Sequence, residues 1–299
     1  MKAFVVFNPA ANHGRLKHEW PAIAAALKTI FPSLLAVPSG GRGQTARLVR
    51  DALRDGYMEI VAVGGDGTIN EAVNGFFEMG APVFPDAVLS VVPAGGGDIG
   101  HGMAGGVAAA LRLARAHVRP VDLGHVACLT PEGGAATRFF LGAASLGLTG
   151  DIARRLNRSR FMPVREAQHY LALAAWRACR VRLMADGGHD EIDGISAVAV
   201  MNGAFFGGGL KAASGADPAD GAFDIAVLPG GSRRRIGRMF QDLRGGRAVE
   251  AVRRLRATHL TAAPTLDTSR PVWVETDGEA AGVLPASFEM APQALRLRL

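Results

Sequence analysis

Over residues 1–122, short apolar runs alternate with longer stretches whose apolar positions recur at helical spacing. The alternation predicts strands at 3–7, 33–37, 59–63 and 88–92, and helices near 18–29, 44–55, 69–79 and 106–116. A βαβ series of this kind predicts an α/β N-terminal domain built on a mostly parallel, doubly wound sheet, with ligands at the carboxyl ends of its strands. Four loops follow predicted strands and so share one rim: Asn8-Pro9, Ser39-Gly40-Gly41, Gly64-Gly65-Asp66 and the run from Pro93 to Asp98. After Asp122 the pattern changes to short strands between glycine-rich turns, at 139–144, 181–184, 195–201, 225–228, 272–275 and 286–290. Helical patterns interrupt them at 168–177 and 235–242, both expected on the outer face. The reading is a first domain over 1–122, with the tail 291–299 packing back on it, and a mostly antiparallel, β-rich C-terminal domain over 123–290.

The first of these domains carries the most informative loop. The apolar strand ending at Val63 runs into Gly64-Gly65-Asp66-Gly67-Thr68-Ile69-Asn70-Glu71. Without Cβ atoms, the three glycines let main-chain N–H groups approach a polyphosphate, and the helix expected from Ile69 adds its positive end. Asp66 faces a phosphate only at the cost of repulsion. It therefore either holds the loop by accepting main-chain N–H groups or works through a metal ion.

Composition changes the picture little: 48% hydrophobic, 20% charged and 39 glycines describe an ordinary folded chain. At 299 residues it is long enough for two cores. Cys128 and Cys179 are too few for a disulfide framework or a cysteine metal site, which points to a reducing cytoplasm. The apolar run before Asn8-Pro9 is too short for a signal peptide, and no stretch approaches the ~20 apolar residues of a membrane span. The net charge of +6 is uneven, with five arginines between Arg154 and Arg165 and nine between Arg233 and Arg256. Few aromatics interleave with them, so nucleic acid is not an expected partner. The run Arg154-Arg155-Leu156-Asn157-Arg158-Ser159-Arg160-Phe161 mixes cations with apolar residues and suits a peripheral membrane surface or a solvated face.

Two acidic segments lie in the second half. Asp217, Asp220 and Asp224 surround Pro218 and Gly221 in turns, where carboxylates and carbonyls could hold a hard divalent cation or simply close the turns. The strand ending Trp273-Val274-Glu275-Thr276 meets Asp277-Gly278-Glu279, which offers a general base or an ordinary Asp-Gly hairpin.

In their order these motifs resemble the diacylglycerol kinase catalytic-domain superfamily, most closely its compact bacterial lipid kinases, which have sphingosine and ceramide kinases as relatives. The resemblance runs nearly end to end, from Asn8-Pro9 through Gly64–Glu71, Pro93-Ala94-Gly95, Asn202-Gly203 with Gly207-Gly208-Gly209 and Ala216–Gly221, to Asp277-Gly278-Glu279 and Pro292–Leu295. It implies an ATP- and Mg²⁺-dependent kinase of lipid metabolism and phospholipid synthesis, cytoplasmic or peripheral at the inner membrane face. Such an enzyme transfers the γ-phosphoryl group to a lipid hydroxyl in an interdomain cleft. Nucleotide contacts are implied at Asn8, Ser39, Gly64, Gly65, Asp66, Gly67, Thr68, Ile69, Asn70, Glu71, Gly95, Gly96 and Gly97. The proton acceptor is implied at Asp277 or Glu279, and a structural Mg²⁺ at Asp217, Asp220 and Ala222, with Asp220 the side-chain ligand.

One loop departs from that family. Gly95-Gly96-Gly97-Asp98-Ile99 stands where its members usually have Gly-Thr-Gly-Asn-Asp, and a lost hydrogen bond to a charged group costs about 1.5–3 kcal/mol. Two alternatives follow: an NAD kinase-like enzyme of a soluble substrate with Asp66 as the base, or a catalytically silent lipid- or nucleotide-binding homologue.

Overall fold

The computed structural model describes residues 2–95, 97–99, 105–158, 171–213, 215–266, 268 and 270–298. They form two compact units, Met1–Leu123 with Pro292–Leu299, and Gly124–Ala291.

In the first unit β1 (Lys2–Phe7), β2 (Ser33–Pro38), β3 (Glu59–Gly64) and β6 (Val88–Pro93) alternate with α1 (Leu16–Ile30), α2 (Gln44–Arg54), α3 (Asp66–Gly75) and α4 (Gly106–Arg112). The two-residue strands β4 (Phe77–Glu78) and β5 (Ala81–Pro82) make a small hairpin after α3. β1 pairs in parallel with β2 and β3, and β3 with β6. Every residue of β3 and β6 is buried, as expected of parallel strands covered on both faces. Ala3, Val5 and Phe7 project into a core with Leu16, Ile23 and Leu27 of α1 and Ala109 and Ala110 of α4. Phe4 and Val6 alternate to the opposite face, and α2 and α3 pack so closely on each other that a methyl at Gly75 would overlap Val49. The last residues of β18 (Glu279–Arg298) add a fifth parallel strand beside β6, Leu297 opposite Leu89.

The second unit is antiparallel. β7 (Val118–Leu129) enters it and pairs with β8 (Ala135–Phe140); β9 (Ala143–Gly147) leads into α5 (Leu148–Arg158). β10 (Cys179–Ala185), β11 (Gly188–Met201), β14 (Phe223–Pro229), β15 (Arg253–Ala257), β16 (His259–Pro264) and β17 (Trp273–Thr276) complete it, with a hairpin of β12 (Phe205–Phe206) and β13 (Leu210–Lys211). The order is β15-β14-β11-β10-β16-β18, with β9 between β11 and β17 and β17 also on β18. Val126, Phe140, Leu146, Val181, Val198, Phe223, Leu260 and Val274 meet in its core. The helix Arg233–Arg244, capped by the Ser232 hydroxyl accepting from the Arg235 N–H, lays Ile236, Met239 and Leu243 inward. Over the whole chain the strand pairing is therefore mixed, parallel in the first unit and antiparallel in the second.

Several expected elements shift. α3 starts at Asp66 rather than at residue 69, because extended Gly65 serves as its N-cap, and it stops at Gly75 rather than 79. The strand expected at 139–144 is broken into β8 and β9 at Leu141-Gly142. Strands β7, β15 and β16 and helix α5 were not anticipated. The helix expected over 168–177 is described only from 171, with 171–175 helical.

Candidate functional site

Asn8, Ser39, Gly64 and Ala94 each stand at the carboxyl end of a parallel strand, and hydrogen bonds tie their loops to one another. The Asn8 N–H donates to the Val63 carbonyl (3.1 Å), and the Ala94 N–H to that of Gly64 (2.8 Å). The Asn8 amide donates to the Thr68 hydroxyl at 3.3 Å while its carbonyl oxygen accepts the Ala10 N–H. Ser39 is buried, its hydroxyl donating to the Phe7 carbonyl. Gly64 has no room for a side chain, since a Cβ would lie 2.7 Å from the Thr68 side chain.

Carboxylates fasten the rest of this rim. Asp66 accepts the Asp98 N–H, which holds the second glycine loop against the first, and a methyl at Gly97 would overlap that carboxylate. Of the two roles open to Asp66 in the sequence, the structure displays loop holding. Glu71 accepts the Gly43 N–H at 2.7 Å and the Thr45 N–H at 3.1 Å, which pins the loop before α2 to α3. Ile69 and Asn70 are fully enclosed; the Ile69 N–H is spent on the Gly65 carbonyl, and the Asn70 side-chain oxygen accepts from the Asn74 amide at 3.3 Å. Gly95 is exposed with φ +117°, in the left-handed half of the map that favours glycine. Gly96 lies outside the described residues. The rim thus combines a ten-residue helix N-terminus with loops fixed in advance, an arrangement that can cradle an anion.

The acidic turn belongs to the second unit. Asp277, at φ +47° and 3% exposed, accepts N–H groups from Leu141 (2.9 Å), Gly142 (2.8 Å) and Ala143 (3.1 Å). Both its oxygens are engaged in holding the β8–β9 break. Glu279 is more open, with the Asn157 amide of α5 donating to Oε2 at 3.3 Å. Reading the sequence did not single out Glu275, which is buried, receives the Ser145 hydroxyl at 2.5 Å and accepts the Gly278 N–H at 2.8 Å. The available signal was a carboxylate directly after the apolar pair Trp273-Val274 in a short strand.

The proposed Mg²⁺ ligands sit on a loop held by other means. Asp217 and Asp220 each accept the N–H two residues on, from Ala219 and Ala222, at 3.2 Å. The second oxygen of Asp220 meets the Arg256 guanidinium at 2.5 Å, and Arg256 stands across the strand pair from Asp224. Burial raises the Asp224 carboxyl above its ordinary value, opposed by Arg256 and reinforced by Asp220. With both Asp220 oxygens engaged, one by a cation, the residues do not fit the metal that the resemblance implies. Among the described residues no cluster of three metal-ligating side chains occurs.

Residues 2–126 match the diacylglycerol kinase catalytic domain, and residues 142–299 the YegS C-terminal NAD kinase beta sandwich-like domain. The chain belongs to the diacylglycerol kinase and YegS family of lipid kinases. This kinase is 26% identical to a diacylglycerol kinase of Mycobacterium tuberculosis over 99% of its own length and 94% of the relative's. It is 29% identical to a probable YegS-like lipid kinase of Pseudomonas putida, over 86% and 82%. In fold it is similar to a diacylglycerol kinase structure from Bacillus anthracis (TM-score 0.70, 21% identity, 99% and 96% covered). It is more distantly similar to an Archaeoglobus fulgidus NAD kinase in complex with ATP (TM-score 0.51, 15% identity, 100% and 93% covered). The family makes the chain an ATP-dependent kinase. No helix among its described residues is long and apolar enough to cross a membrane.

Proposed function

We propose that this kinase transfers the γ-phosphoryl group of ATP to the hydroxyl of a membrane lipid, diacylglycerol-like or sphingoid, in phospholipid or related lipid metabolism. The observation that carries the nucleotide half is the pre-tied rim. Asp66 and Glu71 spend their carboxylates on main-chain N–H groups of neighbouring loops, which leaves a fixed glycine surface at the start of α3 for phosphate. ATP arrives with its own Mg²⁺, which neutralises phosphate charge.

For the acceptor half, Glu279 is the proton acceptor. Its partner in the turn, Asp277, is enclosed and already receives three N–H groups, whereas Glu279 is partly open. The lipid oxygen forms a bond to the γ-phosphorus as the bond to the β–γ bridging oxygen breaks. ADP leaves, and the hydroxyl proton passes to Glu279. The first unit is the nucleotide-binding domain and the second holds the lipid. An NAD kinase-like reaction with Asp66 as base is less favoured, because the Asp98 N–H already occupies that carboxylate.

Transfer of radiolabelled γ-phosphate with Mg²⁺ is to be measured against diacylglycerol, monoacylglycerol, sphingosine, ceramide and NAD. A labelled lipid is expected. Label on NAD alone, or no product with any acceptor, would overturn the reading.

A further inference from the structure

The second unit contains a cavity of about 490 Å³ between α5, the segment 175–180 and the approach to β17. Ligand pockets are commonly of this size. Its lining is unusual in charge: five arginines face a single aspartate, Asp151. Arg154 and Arg155, on α5, both pair with that carboxylate at 2.7 Å, so one cation is left over even there. Arg177 and Arg270 are exposed and have no ion-pair partner among the described residues.

The lining also carries two indoles, Trp176 and Trp273. Arg154 lies over the Trp273 ring at 4.9 Å, and α5 packs on β17 so tightly that a methyl at Gly150 would overlap the Trp273 carbonyl. Trp176 is packed against the cluster of Leu148, Ala172 and Ile236. Guanidinium groups and two indoles lining one cavity match an amphiphile with an anionic head, because guanidinium groups receive phosphate oxygens and indoles receive apolar chains.

We infer that this cavity binds the phosphate headgroup of an anionic phospholipid, with Arg177 and Arg270 as its unspent cations and Trp176 and Trp273 against the glycerol and the first methylenes. The pocket holds this ligand without transforming it, since Asp151, its single carboxylate, is spent on two arginines. The assignment is read from binding and does not depend on phosphoryl transfer.

Two of the three tryptophans of the chain line the cavity, so intrinsic fluorescence reports on it directly. The full chain is titrated with dihexanoyl phosphatidic acid below its micellar concentration, beside dihexanoyl glycerol and inorganic phosphate. A saturable change is expected with phosphatidic acid, at least about tenfold tighter than with either comparison ligand. The double variant Arg177→Ser/Arg270→Ser, exposed positions whose loss leaves the melting curve in place, is expected to weaken binding by at least about tenfold. Three outcomes would each overturn the inference: no saturable change, equal binding of the neutral lipid, or unaltered binding by the double variant. Free phosphate binding as tightly as the lipid would overturn the phospholipid and leave an inorganic anion site. A chain inactive as a kinase that still binds phosphatidic acid in this way would fail the proposed function alone.

Discussion

Arg298, at the end of the described chain, closes a two-bond ion pair on Glu59 of β3, Nε to Oε1 at 3.0 Å and Nη2 to Oε2 at 2.8 Å. The Ser90 hydroxyl on β6 also donates to Glu59 Oε1, at 2.8 Å. The chain therefore leaves its first unit, builds the second, and returns to add a strand whose arginine satisfies a carboxylate at the start of β3. The Arg298 pKa is raised above its ordinary value, chiefly by the hydrogen bond to Glu59.

Removing that arginine is expected to leave a charge buried with one hydroxyl for company. Breaking such pairs costs about 3–5 kcal/mol, and the slight exposure of Arg298 places Arg298→Ala near the lower end. Urea unfolding measures it. The pairwise replacement Glu59→Gln/Arg298→Met is expected to recover most of the loss, because no charge then remains stranded. A single variant as stable as the parent would mean that the returning strand does not hold the first unit together.

Asp277 and Glu279 are expected to separate stability from turnover. In Asp277→Asn one acceptor oxygen becomes an N–H₂ group facing main-chain N–H donors, which should cost about 1–3 kcal/mol. Glu279→Gln should leave the melting temperature in place and lower kcat by about 10²–10⁴-fold, the range for loss of a general base. Thermal melting and initial rates on the same preparations decide the matter. Full turnover by Glu279→Gln would remove it from the proton-transfer role.

What the sequence made legible follows the range of the interactions involved. β3 and β6 could be read from their apolar runs because both faces are covered, and the glycine rim because its chemistry lies within a few consecutive residues. β15 escaped notice because an edge strand carrying Arg253, Arg254 and Arg256 has no apolar alternation. α5 has a glycine, Gly150, in its first turn and cationic residues through its second half, which gives a weak helical signal. The ties that fix the candidate site were not visible. Glu71 reaches back 28 residues to Gly43, and Asp277 reaches back 136 to Leu141, pairings that only the folded chain brings about. Arg256, likewise, is 36 residues from the Asp220 carboxylate that it neutralises.

The cysteines supply a pH test of the second core. Burial pushes the Cys179 thiol from an ordinary 9.0 up to about 11, and raises Cys128 as well. At pH 8 the thiolate fraction of Cys179 is then about one in a thousand instead of one in ten, so alkylation should run about a hundredfold slower than in urea. Between pH 9 and 11 the unfolded chain gives up this proton while the folded chain keeps it. Stability from this group is thus present below pH 9 and lost as pH rises through 11. Equal alkylation rates for folded and unfolded protein would show that Cys179 is not held in the β10 core.

Arg256 makes the last prediction, because its guanidinium stands where a structural cation was expected. It meets Asp220 at 2.5 Å and approaches Asp224 to 4.0 Å, so these two carboxylates already share a cation from within the chain. In nucleotide-free protein, millimolar Mg²⁺ should therefore leave the melting temperature unchanged. Arg256→Met should lose little by itself, within about 1 kcal/mol, since the arginine is half exposed. The variant should instead gain a saturable stabilisation by Mg²⁺, because Asp220 and Asp224 have then lost their shared cation and can take a hard one. Scanning fluorimetry across a Mg²⁺ series, run in parallel on parent, Arg256→Met and Asp220→Asn, reads all three. If the parent is itself stabilised saturably and Asp220→Asn abolishes the effect, Asp220 holds a metal and Arg256 yields to it.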